Sequence, residues 1–419
     1  MKAKLAGILL AIFFTGGLFA QQRCASIEHQ QAMVRLHPEL LQTYQNINDF
    51  ISRKTAERSR PGMPAKDEST IIKIPVIVHV LYHTQNENIP DENIYRQLDA
   101  LNRDYRRLNA DTANTPSCFS RVAADCKISF ELAKVDPYGR ATTGIERIYT
   151  PVEQWIVDDD MKFASKQGAD AWDPRSYLNI WVCNMRDVLG YSSLPGDPLN
   201  IDGVVIRTDV FNNAGTSGRY QLGRTAVHEV GHWLGLIHIW GDQDCGDDKV
   251  DDTPKQATFT AGCPGGTRVS CNNGPTGDMY MNYMDYTDDG CMNLFTAGQK
   301  DRMRSLFIPG GPRYTILSSK ALGTPDVAEI PLPEEGPQWL TPRLYPNPAT
   351  SQVILDLRYD ARWVGKEIIL TNITGQVIRR IKITATVERI NITNLKPGVY
   401  FLQGNKDGKK IVQKLLKTE

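Results

Sequence analysis

From Ile71 to His83 the chain reads IIKIPVIVHVLYH, a β-branched run suited to a strand buried inside a sheet. The period then changes. Ile94, Leu98, Leu101, Tyr105 and Leu108 recur at spacings of four, three, four and three behind Pro90 and Asp91, which predicts an amphipathic helix of about five turns. ISFELAKV (128–135), YLNIWVCN (177–184) and GVVIRTDVF (203–211) predict further strands, and residues 223–236 predict a second, largely apolar helix. Strand, helix, strands and helix together describe an α+β domain, placed at 60–317 with its regular elements starting near 70.

Residues 318–342 are rich in proline and acid, have no period, and read as a linker. Beyond them SQVILDLRY, EIILTN, VIRRIKIT, RINITN and VYFLQGN alternate with the turn signals TGQ, KPG and KDG. That spacing predicts a small all-β sandwich over 343–419.

The N-terminus has a different pattern. Two lysines, an apolar run from Leu5 to Phe14 and then small residues up to Ala20 form a secretory signal peptide, 1–20, although Leu18 departs from the small residue expected before the cut. Gln21 to about Lys66 is polar and contains ISRKTAERSRPGMPAK, which reads as an exposed, nickable linker. No later apolar run approaches the roughly 20 residues that span a bilayer. The 48 basic side chains balance 48 acidic ones, so nothing in the charge suggests a nucleic-acid partner. Export permits disulfides among the eight cysteines. Cys245, Cys263, Cys271 and Cys291 crowd together, and their spacing alone allows three pairings.

Against this frame HEVGHWLGLIH, residues 228–238, stands out. On a helix His228 and His232 share a face one turn apart and can share a metal ion. Glu229 lies beside that ion, in the position of a general base. Gly235 permits the left-handed conformation that ends a helix, so the chain can bring His238 round as third ligand. Three imidazoles and one open position describe a catalytic zinc site.

HEVGHWLGLIH resembles the HExxHxxGxxH signature of metzincin metallopeptidases. NYMDYTDDGCM resembles their methionine turn, with Met284 beneath the metal and Tyr286 as oxyanion stabiliser. HIWGDQDCGDDKVDDTP narrows the resemblance to the pappalysin family and its secreted ulilysin-like and mirolysin-like members.

The resemblance implies a twisted mixed sheet, an active-site helix and a loop-rich C-terminal subdomain. It implies one catalytic Zn2+ on His228, His232 and His238, with Glu229 as base. It implies one or more structural Ca2+ ions, with Asp242, Asp248, Asp251 and Thr253 as candidates and Asp252 nearby; a solvated acidic loop is the alternative. Also implied are the disulfides Cys245 to Cys271 and Cys263 to Cys291, and a preference for arginine or lysine after the scissile bond. The pocket acid for that preference is placed at Asp301, whose alternative is a solvated helical acid.

Residues 21–59 would then be a propeptide, with self-cleavage at Ser52-Arg53 or Ser59-Arg60. Cys24 would cap the zinc, the alternative being a disulfide with Cys118, Cys126 or Cys183. LYPNPAT, LTNITGQVIRR and LKPGVYFLQG resemble a type IX secretion sorting domain, against a sandwich that binds substrate or cell wall. The expected protein is a secreted or surface-bound monomeric zinc endopeptidase with peptide substrates and the type IX machinery as partners. The alternative is a non-catalytic, metal-stabilised surface binding protein.

Overall fold

The computed structural model describes residues 22–58, 70–212, 218–326, 342–357, 363–385, 387–406 and 409–419. The signal peptide and the Ser59-Arg60 bond lie outside the described residues. The N-terminal segment is not the exposed linker its polarity suggests. It holds strand β1 (Gln22–Cys24) and helices α1 (Ser26–Leu36) and α2 (Leu40–Arg58). Both helices bury a narrow stripe that includes His29, Met33, Leu40, Tyr44 and Ile51 and leave the rest in water.

The long β-branched run becomes β2 (Ile72–Tyr82), buried along its length except at Lys73. Helix α3 (Asp91–Tyr105) follows, with Ile94, Leu98, Leu101 and Tyr105 on its buried face. Leu108 falls past its end and is exposed. Next come β3 (Ile128–Leu132), β4 (Ile145–Tyr149), β5 (Leu178–Cys183), β6 (Val188–Ser192), β7 (Val204–Arg207), α4 (Arg224–Trp233) and α5 (Ala297–Arg304). The sheet order is β1-β6-β7-β5-β2-β3, with β4 continuing beside β2. Strands β2, β3, β4, β5 and β7 run parallel, whereas β6 is antiparallel to β7. Strand β1 adds to β6 in parallel, with Cys24 opposite Gly190.

On one face of the sheet, Ile74, Val76, Val78, Ile180 and Ile206 pack with apolar residues of α3 and α4. On the other, Leu81, Trp181, Tyr191 and Val205 are covered by Trp155, Met161 and Ala169 from the irregular segment between β4 and β5. This buried sheet is the base from which α4 and β6 are positioned.

The domain runs past its expected end. Ala321 is buried against Ile77, Ala133 and Tyr177, and its carbonyl accepts hydrogen bonds from Lys134 and Val135. The first part of the expected linker 318–342 is therefore packed structure.

C-terminal to it, β8 (Arg343–Tyr345), β9 (Gln352–Asp356), β10 (Glu367–Asn372), β11 (Val377–Lys382), β12 (Val387–Asn391), β13 (Gly398–Lys406) and β14 (Lys409–Lys417) form two antiparallel sheets, β11-β10-β13-β14 and β12-β9-β8. Val353, Leu355, Trp363, Leu370, Leu402 and Leu415 fill the core of this sandwich. Among the described residues no helix is long and apolar enough to cross a membrane.

Candidate metal centre and cleft

Helix α4 is anchored before it presents any chemistry. Gln97 of α3 donates to the Gly223 carbonyl at 2.9 Å, Tyr105 donates to the Val227 carbonyl at 3.0 Å, and Arg224 pairs with buried Asp104 at 3.2 Å. Its C-terminus is a Schellman turn: Gly235, at φ +79°, donates to the His232 carbonyl, and Leu236 donates to that of Gly231. The turn sends the next residues back under the helix end and delivers His238.

His228, His232 and His238 are buried, and their Nε2 atoms lie 3.1–3.2 Å apart. Each Nδ1 faces an acceptor: the Tyr283 carbonyl at 2.7 Å, the Leu236 carbonyl at 2.9 Å and Asp242 Oδ1 at 2.5 Å. The protons therefore sit on Nδ1, and three bare Nε2 lone pairs converge on one point. They repel one another unless a cation lies between them. Zn–N bonds of about 2.0–2.1 Å set tetrahedral nitrogens about 3.3–3.4 Å apart, so the donor set fits zinc.

Burial pushes the His228 and His232 imidazoles well down, in keeping with neutral ligands. Cys24 Sγ belongs to the same cluster of ligand atoms. Its thiol is pushed well up, first by burial and then by Glu229, so a thiolate there needs a metal ion.

Glu229 is fully buried and its carboxyl is pushed up to about 8 by that burial. Its Oε2 accepts from Ser26 Oγ at 2.8 Å and from Cys24 Sγ at 3.4 Å, while its Oε1 has no partner among the described residues. Met284 packs beneath α4, where a Cβ at Gly231 would meet its Sδ at 2.5 Å. Tyr286 is half-buried, its ring 5.0 Å from that of His238, and its hydroxyl donates to the Cys24 carbonyl at 3.4 Å. Trp240 stacks on His238 at 4.2 Å and holds the third imidazole from outside.

The loop after His238 is stapled by Cys245–Cys271 and Cys263–Cys291, and Cys24 is in no disulfide. Asp242 is turned onto His238, Asp251 is exposed, and Asp248 accepts from Thr253 Oγ1 at 2.8 and 2.9 Å. Burial pushes Asp248 up to about 7.

Asp301 lies in α5, and its neighbour Arg302 lines the cavity beside His232. Asp289, five residues after Met284 in the stretch that carries Tyr286, is a buried acid beside the N-terminal segment. Arg23, next to Cys24, inserts there: it donates to the Thr287 carbonyl, to Asp289 Oδ1 at 3.0 Å and to Met292 Sδ at 3.3 Å, all buried. Burial pushes the Asp289 carboxyl up, and the Arg23 cation works against that. Ser52 and Arg53 lie within α2, away from the extended conformation in which a peptide lies along a sheet edge.

Comparisons with known proteins agree with this geometry. The peptidase M43 family described as pregnancy-associated plasma protein-A matches residues 162–307, and the secretion system C-terminal sorting domain matches 343–418. An extracellular metalloprotease of Pyricularia oryzae is 46% identical over 265 residues, covering 60% of this chain and 80% of that one. One of Verticillium alfalfae is 33% identical, covering 55% and 77%. Mature mirolysin of Tannerella forsythia, in complex with a cleaved peptide, is 47% identical with a TM-score of 0.59, covering 61% of this chain and 99% of that one. A promirolysin variant from the same organism is 44% identical with a TM-score of 0.63, covering 71% and 97%. The chain belongs to the pregnancy-associated plasma protein-A family of M43 metallopeptidases, and it is a secreted member with a C-terminal sorting domain.

Proposed function

We propose that the chain is a zinc endopeptidase, exported through the type IX route as a zymogen, that cuts peptide bonds preceding arginine or lysine. The observation that carries the zinc assignment is the convergence of three Nε2 lone pairs with Glu229 beside them. When held by His228, His232 and His238, zinc lowers the pKa of water towards ~7 and polarises a carbonyl oxygen. Glu229 would take the proton of the attacking water and return it to the leaving amine. Tyr286 donates to the developing oxyanion with the hydroxyl that here meets the Cys24 carbonyl.

Residues 21–59 act as the pro-segment, with β1 occupying the substrate's place beside β6 and Cys24 as the zinc cap. Strand β1 runs parallel to β6. A substrate running the opposite way would put the side chain after its scissile bond where Arg23 lies, so Asp289 selects arginine or lysine at that position. Self-cleavage is assigned to Ser59-Arg60; Ser52-Arg53 lies in α2, and a helical bond must unwind before it can enter the cleft. Calcium is assigned to the stapled loop with Asp248 as the buried ligand.

Four outcomes test this reading. Glu229→Ala should stay full length and cleave no member of a peptide library that the wild type digests; spontaneous maturation of the variant would sink the mechanism. Cys24→Ala should hydrolyse a reporter peptide before any processing visible on a gel, and a silent intact variant would exclude the cap. Asp289→Asn should lose about tenfold or more in kcat/KM for arginine over norleucine after the scissile bond; an unchanged ratio would return the choice to another residue. Added calcium should raise the melting temperature of desalted, zinc-loaded protein more at pH 8 than at pH 6, since Asp248 must ionise from a carboxyl at about 7 to bind it. A melt indifferent to calcium at both pH values removes that ion from the description.

A further inference from the structure

Asp159 stands at a left-handed backbone position, φ +64°, in the irregular segment that covers the upper face of the sheet. Its two oxygens have different partners. Oδ1 is engaged within the catalytic domain, by Tyr191 Oη at 2.9 Å and by the fully buried Lys162 ammonium at 2.8 Å. Oδ2 meets a group of the N-terminal segment, His29 Nε2, at 2.7 Å. The His29 ring also lies over that of Tyr191, at 5.0 Å and 39°. Lys162 is held in place by the Ile201 carbonyl at 2.8 Å and by the rings of Trp181 and Tyr191. It and His29 keep the Asp159 carboxyl well below the usual range.

Tyr191 lies on β6, one residue past Gly190, the residue opposite Cys24. The Ser192 amide next to it donates to Ser26 Oγ at 2.9 Å, so this end of the edge strand is served by side chains of the N-terminal segment. When that segment leaves, the edge strand, the Tyr191 face and Asp159 Oδ2 lose their partners together. The Lys162 ammonium stays beside Asp159 Oδ1. A peptide lying along β6 in the direction opposite to β1 passes this end with residues that precede its scissile bond.

We propose that Asp159, with Tyr191 as its aromatic wall, forms a second acidic subsite, on the unprimed side, that takes a nitrogen-donor side chain of the substrate: imidazole, ammonium or guanidinium. His29 occupies it in the zymogen as Arg23 occupies the Asp289 pocket. The enzyme then reads two separated basic residues, one on each side of the bond it cuts. This subsite rests on the peptidase reading and adds a substrate class to it.

The test uses the full chain, purified with zinc and activated by limited proteolysis. Its substrates are peptides with arginine fixed after the scissile bond and histidine, lysine, norleucine or glutamate placed in turn at the second, third and fourth positions before it. At one of these positions histidine or lysine should exceed norleucine by about tenfold in kcat/KM, the scale of a hydrogen bond to a charged group. Asp159→Asn should bring the ratio to within about twofold. Wild-type enzyme that treats histidine, lysine and norleucine alike at all three positions overturns the subsite, as does an Asp159→Asn enzyme that keeps the preference. If the variant cleaves neither peptide, the wild-type comparison decides alone. Failure to cleave any peptide would instead strike at the peptidase reading.

Discussion

The convergence of three imidazole nitrogens is the constraint around which the cleft is built. Neutral imidazoles do not hold their lone pairs 3.1–3.2 Å apart without a force on each ring. The force comes from the far side: Nδ1 of each ring is tied to the Tyr283 carbonyl, the Leu236 carbonyl or Asp242. Those acceptors come from the methionine turn, the helix-ending turn and the loop after His238. Each ligand is therefore aimed by a different piece of chain, and a shift in any one would misplace a donor. The demand propagates outward, because Tyr283 can stand behind His228 only if Met284 fits beneath α4, which requires glycine at 231.

The same economy of space governs the N-terminal segment. It supplies an edge strand, a thiol at the ligand cluster, a hydroxyl on Glu229 and two basic side chains in acidic pockets, within eight residues from Gln22 to His29. These contacts are mutually dependent. Cys24 can approach the imidazoles because β1 pairs with β6, and β1 ends at Cys24 because Ser26 and α1 turn the chain away along the cleft. The segment closes the site through polar contacts, among them the Ser26 hydroxyl on Glu229 Oε2, rather than by covering it with apolar bulk.

What was legible in the sequence follows from how local each cause is. The strand at 72–82 and helices α3 and α4 declare themselves by period, and the ligand spacing is a property of one helix and one glycine turn. Helices α1 and α2 did not declare themselves, because a helix lying on a finished surface buries a narrow stripe and its remaining positions are polar. Strand β6, VLGYS, is short and contains a glycine, so alternation cannot mark it. Asp289 is one of several acids near the end of the domain; that it meets Arg23, 266 residues away in sequence, is a tertiary fact. Asp242 reads as one more acid of a calcium loop until the fold brings it to His238 Nδ1.

Strand direction explains how one segment can occupy the cleft without being cut. A peptide bond is attacked when its carbonyl carbon stands between the metal and the base, an arrangement set by the direction in which the backbone pairs with β6. Strand β1 pairs in parallel and presents to the metal cluster the Cys24 side chain. Its nearest carbonyl, that of Cys24, points to Tyr286 Oη. The Tyr286 hydroxyl is engaged by a chain that runs parallel to β6, while Arg23 and His29 pair with the buried carboxylates of Asp289 and Asp159. Latency then needs no distortion of the catalytic residues. Removing the segment would free Glu229 Oε2, the Tyr286 hydroxyl and the carboxylates of Asp289 and Asp159 from these partners.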